Sequence, residues 1–309
     1  MAGKERLDAL LVSRGRFETR SKARAAIMAG VVYVDGRRVD KAGALVDPEA
    51  HIEVRGAPIP FVSRGGVKLA AALDRFGLNP AGKVCLDVGA STGGFTDCLL
   101  QRGARLVHAV DVGYGQLAWS LRQDPRVIVW ERTNFRYVTP EQISGIEFVA
   151  VDVSFISLRL ILPVARTLVV PEADAVTLVK PQFEAGPARV GKGGVVRRPE
   201  VHVDVLKELF AWARAAGGWE PRGLCYSPIT GPEGNIEFFV WWRAERGETG
   251  AAATAAGAEC GLGENAGAGG AAPRGEGARE SEPGAGGGFD ADAAAEAVVR
   301  EAWAELGKE

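Results

Sequence analysis

The chain has 309 residues, which is enough for a main domain with a substantial core and a second, smaller unit. Its formal net charge of -2 excludes a polycation, so any affinity for nucleic acid must come from local basic patches. We find neither a secretory leader nor an apolar run of about eighteen residues, which argues against secretion and against a membrane span and predicts a cytoplasmic protein.

Cysteine usage predicts neither a metal site nor a disulfide framework. The four cysteines form no C-x-x-C pair, and only three histidines are available as further ligands. We therefore expect no bound metal and a reducing compartment. The cysteines are Cys85, Cys98, Cys225 and Cys260.

Residues 1–55 are predicted to form a small α+β domain. The leucines within residues 7–11 give one short helix an apolar stripe, and a second helix follows and ends at Gly30. The apolar run Val31–Val34 then leads through Asp35 and Gly36 into a second run, and Asp-Gly between two such runs is a strong hairpin signal.

Basic residues are concentrated in this domain. The segment from residue 14 to residue 24 contains five basic residues and one acidic residue, which gives it a net charge of +4. An ordinary solvated surface is one interpretation of such a cluster. However, the segment R-L-D-x-L-L-V through S-K-x-R-A-x-I-x-x-G-x-V-x-V-D-G resembles an S4 domain, which implies RNA binding through backbone phosphates. The candidate RNA-binding residues are Arg6, Arg14, Arg16, Arg20, Lys22, Arg24, Arg37, Arg38 and, beyond the domain, Arg64.

Residues 56–62 are predicted to be a short linker, because two prolines and a glycine within this segment disfavour helix and central strand. A helix follows, with Leu69, Ala72, Leu73 and Phe76 as its buried stripe. Lys68 lies at the edge of that stripe. Taken alone, it would be an ordinary surface lysine.

The segment from Lys83 to Leu100 predicts a strand, a glycine-rich turn and a helix. Such a turn allows a close approach of backbone to a ligand, and its G-x-x-x-G-G pattern fits neither a P-loop nor the dinucleotide fingerprint. An ordinary strand-to-helix turn is the simpler interpretation. With Asp111 ending the next strand, the pattern resembles the S-adenosylmethionine site of Rossmann-like methyltransferases, with the turn under the methionine part and Asp111 on the ribose. The cofactor candidates are Asp87, Gly89, Ala90, Ser91, Thr92, Gly93, Gly94, Phe95, Asp111, Val112, Asn134 and Asp152.

Seven apolar runs alternate with helical patterns between residues 83 and 242. This alternation predicts an α/β fold, a mostly parallel seven-stranded sheet with helices on both faces. Ligands bind such sheets beyond the carboxyl ends of the strands. Asp111, Asp152 and Lys180 stand at or near such ends, and Glu237 starts an apolar, aromatic strand. An ion pair between Asp152 and Lys180 with a purely structural role is the alternative.

Four motifs together identify a family. The segments D-V-G-A-S-T-G-G-F-T-D, V-D-V-S-F-I-S-L, L-V-K-P-Q-F-E and G-N-I-E-F-F resemble the TlyA, or haemolysin A, family over residues 4 to about 243. That family couples an S4 domain to an FtsJ-like ribose 2′-O-methyltransferase. The resemblance implies a Rossmann-like methyltransferase domain over 63–243, S-adenosylmethionine as cofactor, and cytidines of ribosomal RNA or ribosomal subunits as substrate. It puts a Lys-Asp-Lys-Glu catalytic tetrad on Lys68, Asp152, Lys180 and Glu237.

The remaining segments leave alternatives open. Asn134 could lie near an adenine or cap the following turn. The basic, glycine-rich stretch 186–198 is interpreted either as a mobile loop over RNA phosphates or as a surface loop without a partner. Residues 244–309 are of low complexity, which predicts disorder with a short helix over about 290–306.

Two other functions remain possible from the sequence. A membrane-active cytolysin, as the older family name suggests, needs an amphipathic or spanning segment that we do not find. A non-catalytic RNA-binding assembly factor would not need an intact tetrad and glycine turn. A small-molecule methyltransferase is disfavoured by the S4 domain. We expect no membrane partner and a monomer, although no residue pattern decides the oligomeric state.

Overall fold

The computed structural model describes residues 3–28, 30–39, 41, 43–55, 60–231, 233–245 and 289–307, which belong to one compact unit. Residues 56–59 of the predicted linker and most of the predicted tail lie outside the described residues. The predicted domain bounds therefore stay predictions.

Within its described residues, the N-terminal domain has two helices and five short strands around one apolar core. Asp35 and Gly36 have φ angles of 49° and 76°, as the mirror-image hairpin turn between β2 and β3 requires. Leu7, Leu11 and Ile27 are fully buried in the core. The elements are β1 (Glu5–Arg6), α1 (Leu7–Ser13), α2 (Arg20–Met28), β2 (Val32–Val34), β3 (Arg37–Arg38), β4 (Leu45–Val46) and β5 (Ile52–Val54).

The described chain after residue 60 forms the predicted seven-stranded sheet. Its strand order is β11-β12-β10-β9-β6-β7-β8. Strands β10, β9, β6, β7 and β8 are parallel, whereas β12 is antiparallel to both β10 and β11. The strands are β6 (Val84–Val88), β7 (Leu106–Val110), β8 (Val127–Trp130), β9 (Ile146–Val151), β10 (Val169–Val179), β11 (Trp219–Tyr226) and β12 (Phe238–Ala244).

Helices cover both faces of this sheet, because its strands are apolar on both sides. Leu69 and Leu99 belong to the core on one face, and Leu162, Val205 and Val299 belong to the core on the other. The helices are α3 (Arg64–Phe76), α4 (Gly94–Gln101), α5 (Trp119–Arg122), α6 (Leu162–Leu168), α7 (Pro181–Glu184), α8 (Pro199–Trp212) and α9 (Ala291–Leu306).

The strand order reverses at β6, which lies between β7 and β9. The connections after β6 and β9 leave from neighbouring carboxyl ends, so a crevice for ligands opens at this edge. Glycines allow α3 to approach the start of α4 closely beside the crevice. A Cβ on Gly94 would collide with Ser63 Oγ and would lie 2.9 Å from the backbone nitrogen of Gly66.

Helix α9 packs against α8 and β11, far along the sequence from both. Its buried side chains are small, and they recur at helical spacing at positions 291, 295, 299 and 302. Trp303 Nε1 donates a 3.2 Å hydrogen bond to His202 Nδ1 of α8, and Lys207 forms a 2.7 Å ion pair with Glu296. The C-terminal helix therefore belongs to the layer of helices that covers the same face of the sheet as α6 and α8.

A pair of substitutions on α9 tests this packing. Ala295→Asp should lower the free energy of unfolding by about 2 kcal/mol or more, because Ala295 is fully buried and a carboxylate there has no partner. Ala297→Asp, on the exposed side of the helix, should change it by less than about 0.5 kcal/mol. Urea unfolding of both variants measures the difference, and equal losses would show that α9 does not pack as described.

Asp87, in β6, is a fully buried acid beneath the glycine-rich turn. Thr96 Oγ1 of α4 donates a 2.6 Å hydrogen bond to its Oδ2, whereas its Oδ1 has no hydrogen-bond partner within the described residues. Burial raises the pKa of Asp87 to about 7, and the hydrogen bond from Thr96 opposes this rise only in part.

The raised pKa of Asp87 predicts a specific pH dependence. Between about pH 4 and pH 7 the folded protein holds a proton that the unfolded chain releases. The contribution of Asp87 to the free energy of unfolding should therefore fall as pH rises, by at most about 1.4 kcal/mol per pH unit. Asp87→Asn should remove this slope in urea unfolding, and Glu220→Gln, an exposed acid on β11, should retain it. Identical slopes for native protein and Asp87→Asn would contradict the assignment.

Candidate active site

A cleft of about 660 Å³ lies at the carboxyl edge of the sheet. Lys68, Asp152, Lys180 and Glu237 all line it, so the structure brings the four predicted tetrad residues to one site. They come from α3, the end of β9, the end of β10 and the residue before β12. The four side chains form two ion pairs.

The first pair joins Lys68 Nζ to Glu237 Oε2 and is almost completely buried. The two side chains are 8% and 1% exposed. Gly231 packs directly on the other carboxylate oxygen of Glu237, since a Cβ on Gly231 would lie 2.7 Å from Oε1. Removing one partner of a buried pair leaves an uncompensated charge, so this pair also contributes to stability.

The second pair is more accessible. Lys180 Nζ lies 2.6 Å from Asp152 Oδ1, in an ion pair outside directed hydrogen-bond geometry, and donates a 2.9 Å hydrogen bond to Ser154 Oγ. The side chains of Lys180 and Asp152 are 12% and 23% exposed. An ammonium group held in this way is available to a ligand in the cleft.

Backbone contacts fix Asp152 against the glycine-rich turn. Its backbone nitrogen donates to the carbonyl of Val88, at 2.9 Å. A Cβ on Gly89 would collide with the Asp152 carbonyl oxygen, and the φ of Gly89 is +88°. Only glycine fits this position, because both the conformation and the close approach exclude a side chain.

Glu184 ties the Asp152 segment to the Lys180 segment. Its carboxylate accepts hydrogen bonds of 2.7 Å from the Ser157 hydroxyl and from the backbone nitrogen of Leu158. Burial raises the pKa of Glu184. The relative position of the two segments is thus fixed by a carboxylate outside the tetrad.

A second cavity, of about 420 Å³, adjoins the cleft and shares Gly89, Ser91 and Asp152 with it. Asp111 lines this cavity, with its carboxylate fixed by the backbone nitrogens of Ser91, at 2.8 Å, and Gly113, at 2.6 Å. Carboxylate oxygens have further lone pairs, so Asp111 can still accept hydrogen bonds from a ligand.

Most of the cofactor candidates line one of these two cavities. Asn134 lines the second cavity and also caps the following turn, accepting a 3.2 Å hydrogen bond from the backbone of Arg136. Asp87 and Gly93 line neither cavity: Asp87 lies beneath the turn, and Gly93 packs on Leu117 and Leu121. Gly89, Ala90, Ser91, Thr92, Gly94, Phe95 and Asp152 line the cleft, and Asp111 and Val112 line the second cavity.

Three further residues at the cleft were not identified from the sequence. Phe155 is 90% exposed at the mouth of both cavities, with a φ of +63° and its ring 4.9 Å from that of Phe183. Gln182 lines the cleft with a buried amide oxygen that has no partner in the described part of the chain. Asn235 is buried and bonded to the loop at 194–196.

Several basic side chains of the N-terminal domain stabilise its own fold. Arg6 and Arg20 donate to the buried carboxylate of Asp8, at 3.0 and 2.9 Å, and the hydrogen bond from Arg6 is the largest cause that lowers the pKa of Asp8, to about 2. Arg14 donates to two carbonyl oxygens within residues 48–50. Their charges therefore have structural partners, although Arg6 and Arg20 stay half-exposed.

The other candidate RNA-binding residues face solvent or the domain boundary. Arg16, Arg24 and Arg37 are exposed, and their side chains form no ion pair or hydrogen bond within the described residues. Lys22 pairs with Glu18, and Arg38 is exposed on β3 beside Arg37. Arg64 donates a 3.1 Å hydrogen bond to the carbonyl of Thr230.

Neither metal-binding nor membrane-spanning features occur in the described part of the chain. No group of His, Cys, Asp and Glu there could hold a metal ion, and no described helix is long and apolar enough to cross a bilayer. Cys85, Cys98 and Cys225 are free and buried, and burial raises the pKa of each thiol to about 12. Cys260 lies outside the described residues.

Comparison with known proteins agrees with this architecture. Residues 61–244 match the family model of FtsJ-like methyltransferases, and residues 5–52 match the S4 domain. A protein of Bacillus subtilis named as an rRNA methyltransferase, YqxC, is 59% identical over 77% of this chain and 85% of its own length.

Two further relatives and one solved structure are also similar. The 16S/23S rRNA (cytidine-2′-O)-methyltransferase TlyA of Mycobacterium tuberculosis is 49% identical over 79% of this chain and 92% of its own. Hemolysin A of Brachyspira hyodysenteriae is 42% identical over 76% of this chain and 98% of its own. A structure named as a hemolysin from Streptococcus thermophilus has a TM-score of 0.63 and 45% identity, covering 80% of this chain and 90% of that one. The chain therefore belongs to the TlyA family, in which an S4 domain precedes an FtsJ-like methyltransferase domain.

Proposed function

We propose that this protein transfers a methyl group from S-adenosylmethionine to the 2′-hydroxyl of a ribose in ribosomal RNA, with cytidine as the modified nucleotide. The observation that carries the proposal is the arrangement of two lysine–carboxylate pairs in one cleft, next to a cavity with a fixed acid, Asp111. The names of the relatives, which include an rRNA (cytidine-2′-O)-methyltransferase, support the substrate.

The residues of the second cavity suit an adenosyl group. Asp111 would accept hydrogen bonds from the ribose hydroxyls, and Phe135, Ile156 and Val112 provide an apolar wall for the base. The glycine-rich turn would lie under the methionine part. When bound, S-adenosylmethionine supplies a methyl group on a positively charged sulfur, which is already electrophilic.

The task of the protein side chains is to activate a poor nucleophile. Lys180 Nζ is fixed by Asp152 and Ser154. As an ammonium group it would stabilise the negative charge that develops on the 2′-oxygen, whereas as a neutral amine it would accept the proton of the 2′-hydroxyl. Lys68 and Glu237, as a rigid buried pair, would orient the ribose. Alignment of the oxygen with the methyl group and the sulfur provides a large part of the acceleration, because it removes the search for a reactive geometry.

The mouth of the cleft suits an unpaired base. Phe155 exposes its ring in a left-handed conformation that costs free energy in a non-glycine residue, and Phe183 supports it. RNA-binding proteins stack unpaired bases on exposed aromatic rings. We therefore infer that the target nucleotide is presented out of its helix.

The N-terminal domain, over residues 1–55, would hold the RNA while residues 63–243 modify it. Its exposed basic side chains Arg16, Arg24 and Arg37 suit phosphate contacts, which give affinity without sequence choice. With ribosomal RNA as the substrate, the place of action is the cytoplasm.

The proposed activity is tested with labelled S-adenosylmethionine and separated ribosomal subunits. The native protein should transfer label to RNA, and mapping should find it on a cytidine 2′-oxygen. Binding of cofactor without transfer to either subunit would instead support a non-catalytic assembly factor.

Substitution of Lys180 separates catalysis from cofactor binding. Lys180→Met should reduce methyl transfer by at least about a hundredfold, because the 2′-oxygen loses the amino group of the more exposed of the two ion pairs. Its affinity for S-adenosylmethionine, measured by calorimetry, should stay within about threefold, since Lys180 does not line the second cavity. Lys180→Arg retains the charge without a readily removed proton, so activity within about tenfold of native would assign the role to charge.

The control for Lys180→Met is Lys207→Met, which removes a lysine of α8 that lies outside the cleft. It should leave both methyl transfer and cofactor affinity unchanged. If Lys180→Met loses cofactor affinity as severely as activity, the assignment of Lys180 to the nucleophile is wrong.

Asn235 is proposed as a positioning residue for the loop at 186–198, part of which lines the cleft. Its side chain accepts a 3.0 Å hydrogen bond from the backbone of Val196 and donates a 2.9 Å hydrogen bond to the carbonyl of Gly194. Arg189 forms an ion pair with Glu208 of α8, at 2.8 Å, so the loop has fixed contacts near both of its ends.

Asn235→Ala should therefore raise KM for RNA by about tenfold while kcat changes by less than about threefold, because it frees a loop rather than removing a reacting group. Asn235→Asp, which retains the acceptor for Val196 but not the donor to Gly194, should give an intermediate KM. A loss confined to kcat, or no change in KM, would count against a positioning role.

A further inference from the structure

A second groove, of about 510 Å³, lies between the N-terminal domain and the methyltransferase domain. Arg20 and Arg24 of α2 line one side of it. The other side is formed by the connection between β7 and α5 and by Trp119, the first residue of α5. The side chain of Trp119 is 74% exposed, more than that of any other tryptophan within the described residues.

Contacts of the neighbouring residues fix the position of Trp119. The backbone nitrogen of Ala118 donates a 3.1 Å hydrogen bond to the carbonyl of Thr92 in the glycine-rich turn. Leu117 and Leu121 pack on Gly93, and Arg122 forms an ion pair with Glu131. A large aromatic ring is therefore held at the surface by a well-packed loop, where a ligand can reach it.

The charge of the groove is positive. Arg24 is exposed and forms no ion pair within the described residues, and Arg20 is 57% exposed although one of its nitrogens contacts Asp8. None of the residues that line the groove in the described part of the chain carries a carboxylate. An anionic ligand with an aromatic face complements this combination of arginine and indole.

The groove adjoins the catalytic cleft. Thr92 lines both of them, and Val62 of the groove is followed directly by Ser63 and Arg64 of the cleft. Arg64 also approaches the N-terminal domain, since its Nη1 lies 3.3 Å from the position of a Cβ on Gly30. A chain that leaves the cleft past Thr92 therefore enters the groove.

We propose that this groove binds unpaired nucleotides flanking the target, with one base stacked on Trp119 and its phosphates on Arg24 and Arg20. The inference rests on the proposed function, because the nucleotides belong to the same RNA whose ribose lies in the cleft. Stacking on an aromatic ring and contact with arginine are how proteins hold single strands without reading their sequence. A membrane surface fits less well, because the indole lies at a concave site that adjoins the catalytic cleft.

The test measures binding of a labelled single-stranded RNA and of a labelled RNA duplex by fluorescence anisotropy at several salt concentrations. Trp119→Ala should weaken single-strand binding by about tenfold without changing its salt slope, and Trp119→Phe should restore it to within about threefold of native. Arg24→Ala should reduce the salt slope by about one. Tyr137→Ala removes an aromatic ring of similar exposure that lines none of the described cavities, and it should leave binding unchanged.

Three results would overturn the inference. The first is an unchanged affinity of Trp119→Ala for single-stranded RNA. The second is a loss of duplex binding in this variant that equals its loss of single-strand binding. The third is a loss of binding to vesicles of anionic lipid in this variant while its binding to RNA stays native. Thermal unfolding and cofactor affinity should be native in all four variants, because the substituted side chains are exposed and lie outside the cofactor cavity.

The methylation assay separates this inference from the proposed function. Methyl transfer by the native protein, together with normal RNA binding by Trp119→Ala, would refute the groove and leave the activity intact. Absence of transfer by the native protein, together with the loss of single-strand binding in Trp119→Ala, would refute the activity and leave the groove intact.

Discussion

The buried ion pair between Lys68 and Glu237 joins the first helix of the methyltransferase domain to the entry of its last strand. Two opposite charges in a nearly dry environment must remain together, because separating them leaves each one uncompensated. The pair therefore constrains α3 relative to β12. Since α3 also rests on the glycines at the start of α4, the same constraint reaches the cofactor turn.

The second half of the cleft depends on strand register. Strand β12 pairs with β10 from Val179 and Phe238 onwards, which brings the residues just beyond those positions, Lys180 and Glu237, to the same edge. Strand β9 pairs with β10 in parallel, so Asp152 follows its strand at the neighbouring position. The register of the sheet thus places three of the four tetrad residues, and contacts within the loops fix their side chains.

Features that depend on local pattern could be predicted from the sequence. Apolar runs located the strands, and charged residues at their ends located the edge where Asp152 and Lys180 meet, because parallel strands share one carboxyl edge. The apolar runs predict the first and last residues of the strands less well than their existence. Strand β10 begins at Val169, with an irregular register before Asp174 that no periodic pattern signals.

Features that depend on distant contacts or on backbone conformation could not be predicted. The exposure of Phe155 follows from a positive φ, which its sequence neighbours do not dictate. Asn235 acquires its role only when β12 brings it beside residues 194–196. In the N-terminal domain, Arg14 counts as one more surface charge in the sequence, yet it bonds carbonyl oxygens more than thirty residues away.

The hydrogen bond between Trp303 and His202 also determines how the C-terminal helix responds to acidity. An indole nitrogen can only donate, so His202 Nδ1 must accept, and the imidazole is neutral with its proton on Nε2. Burial lowers the pKa of His202 to about 4, so the ring stays uncharged throughout the range of intracellular pH. Although it involves a histidine, this hydrogen bond between α9 and α8 is therefore unaffected by changes of pH within the range that living cells maintain.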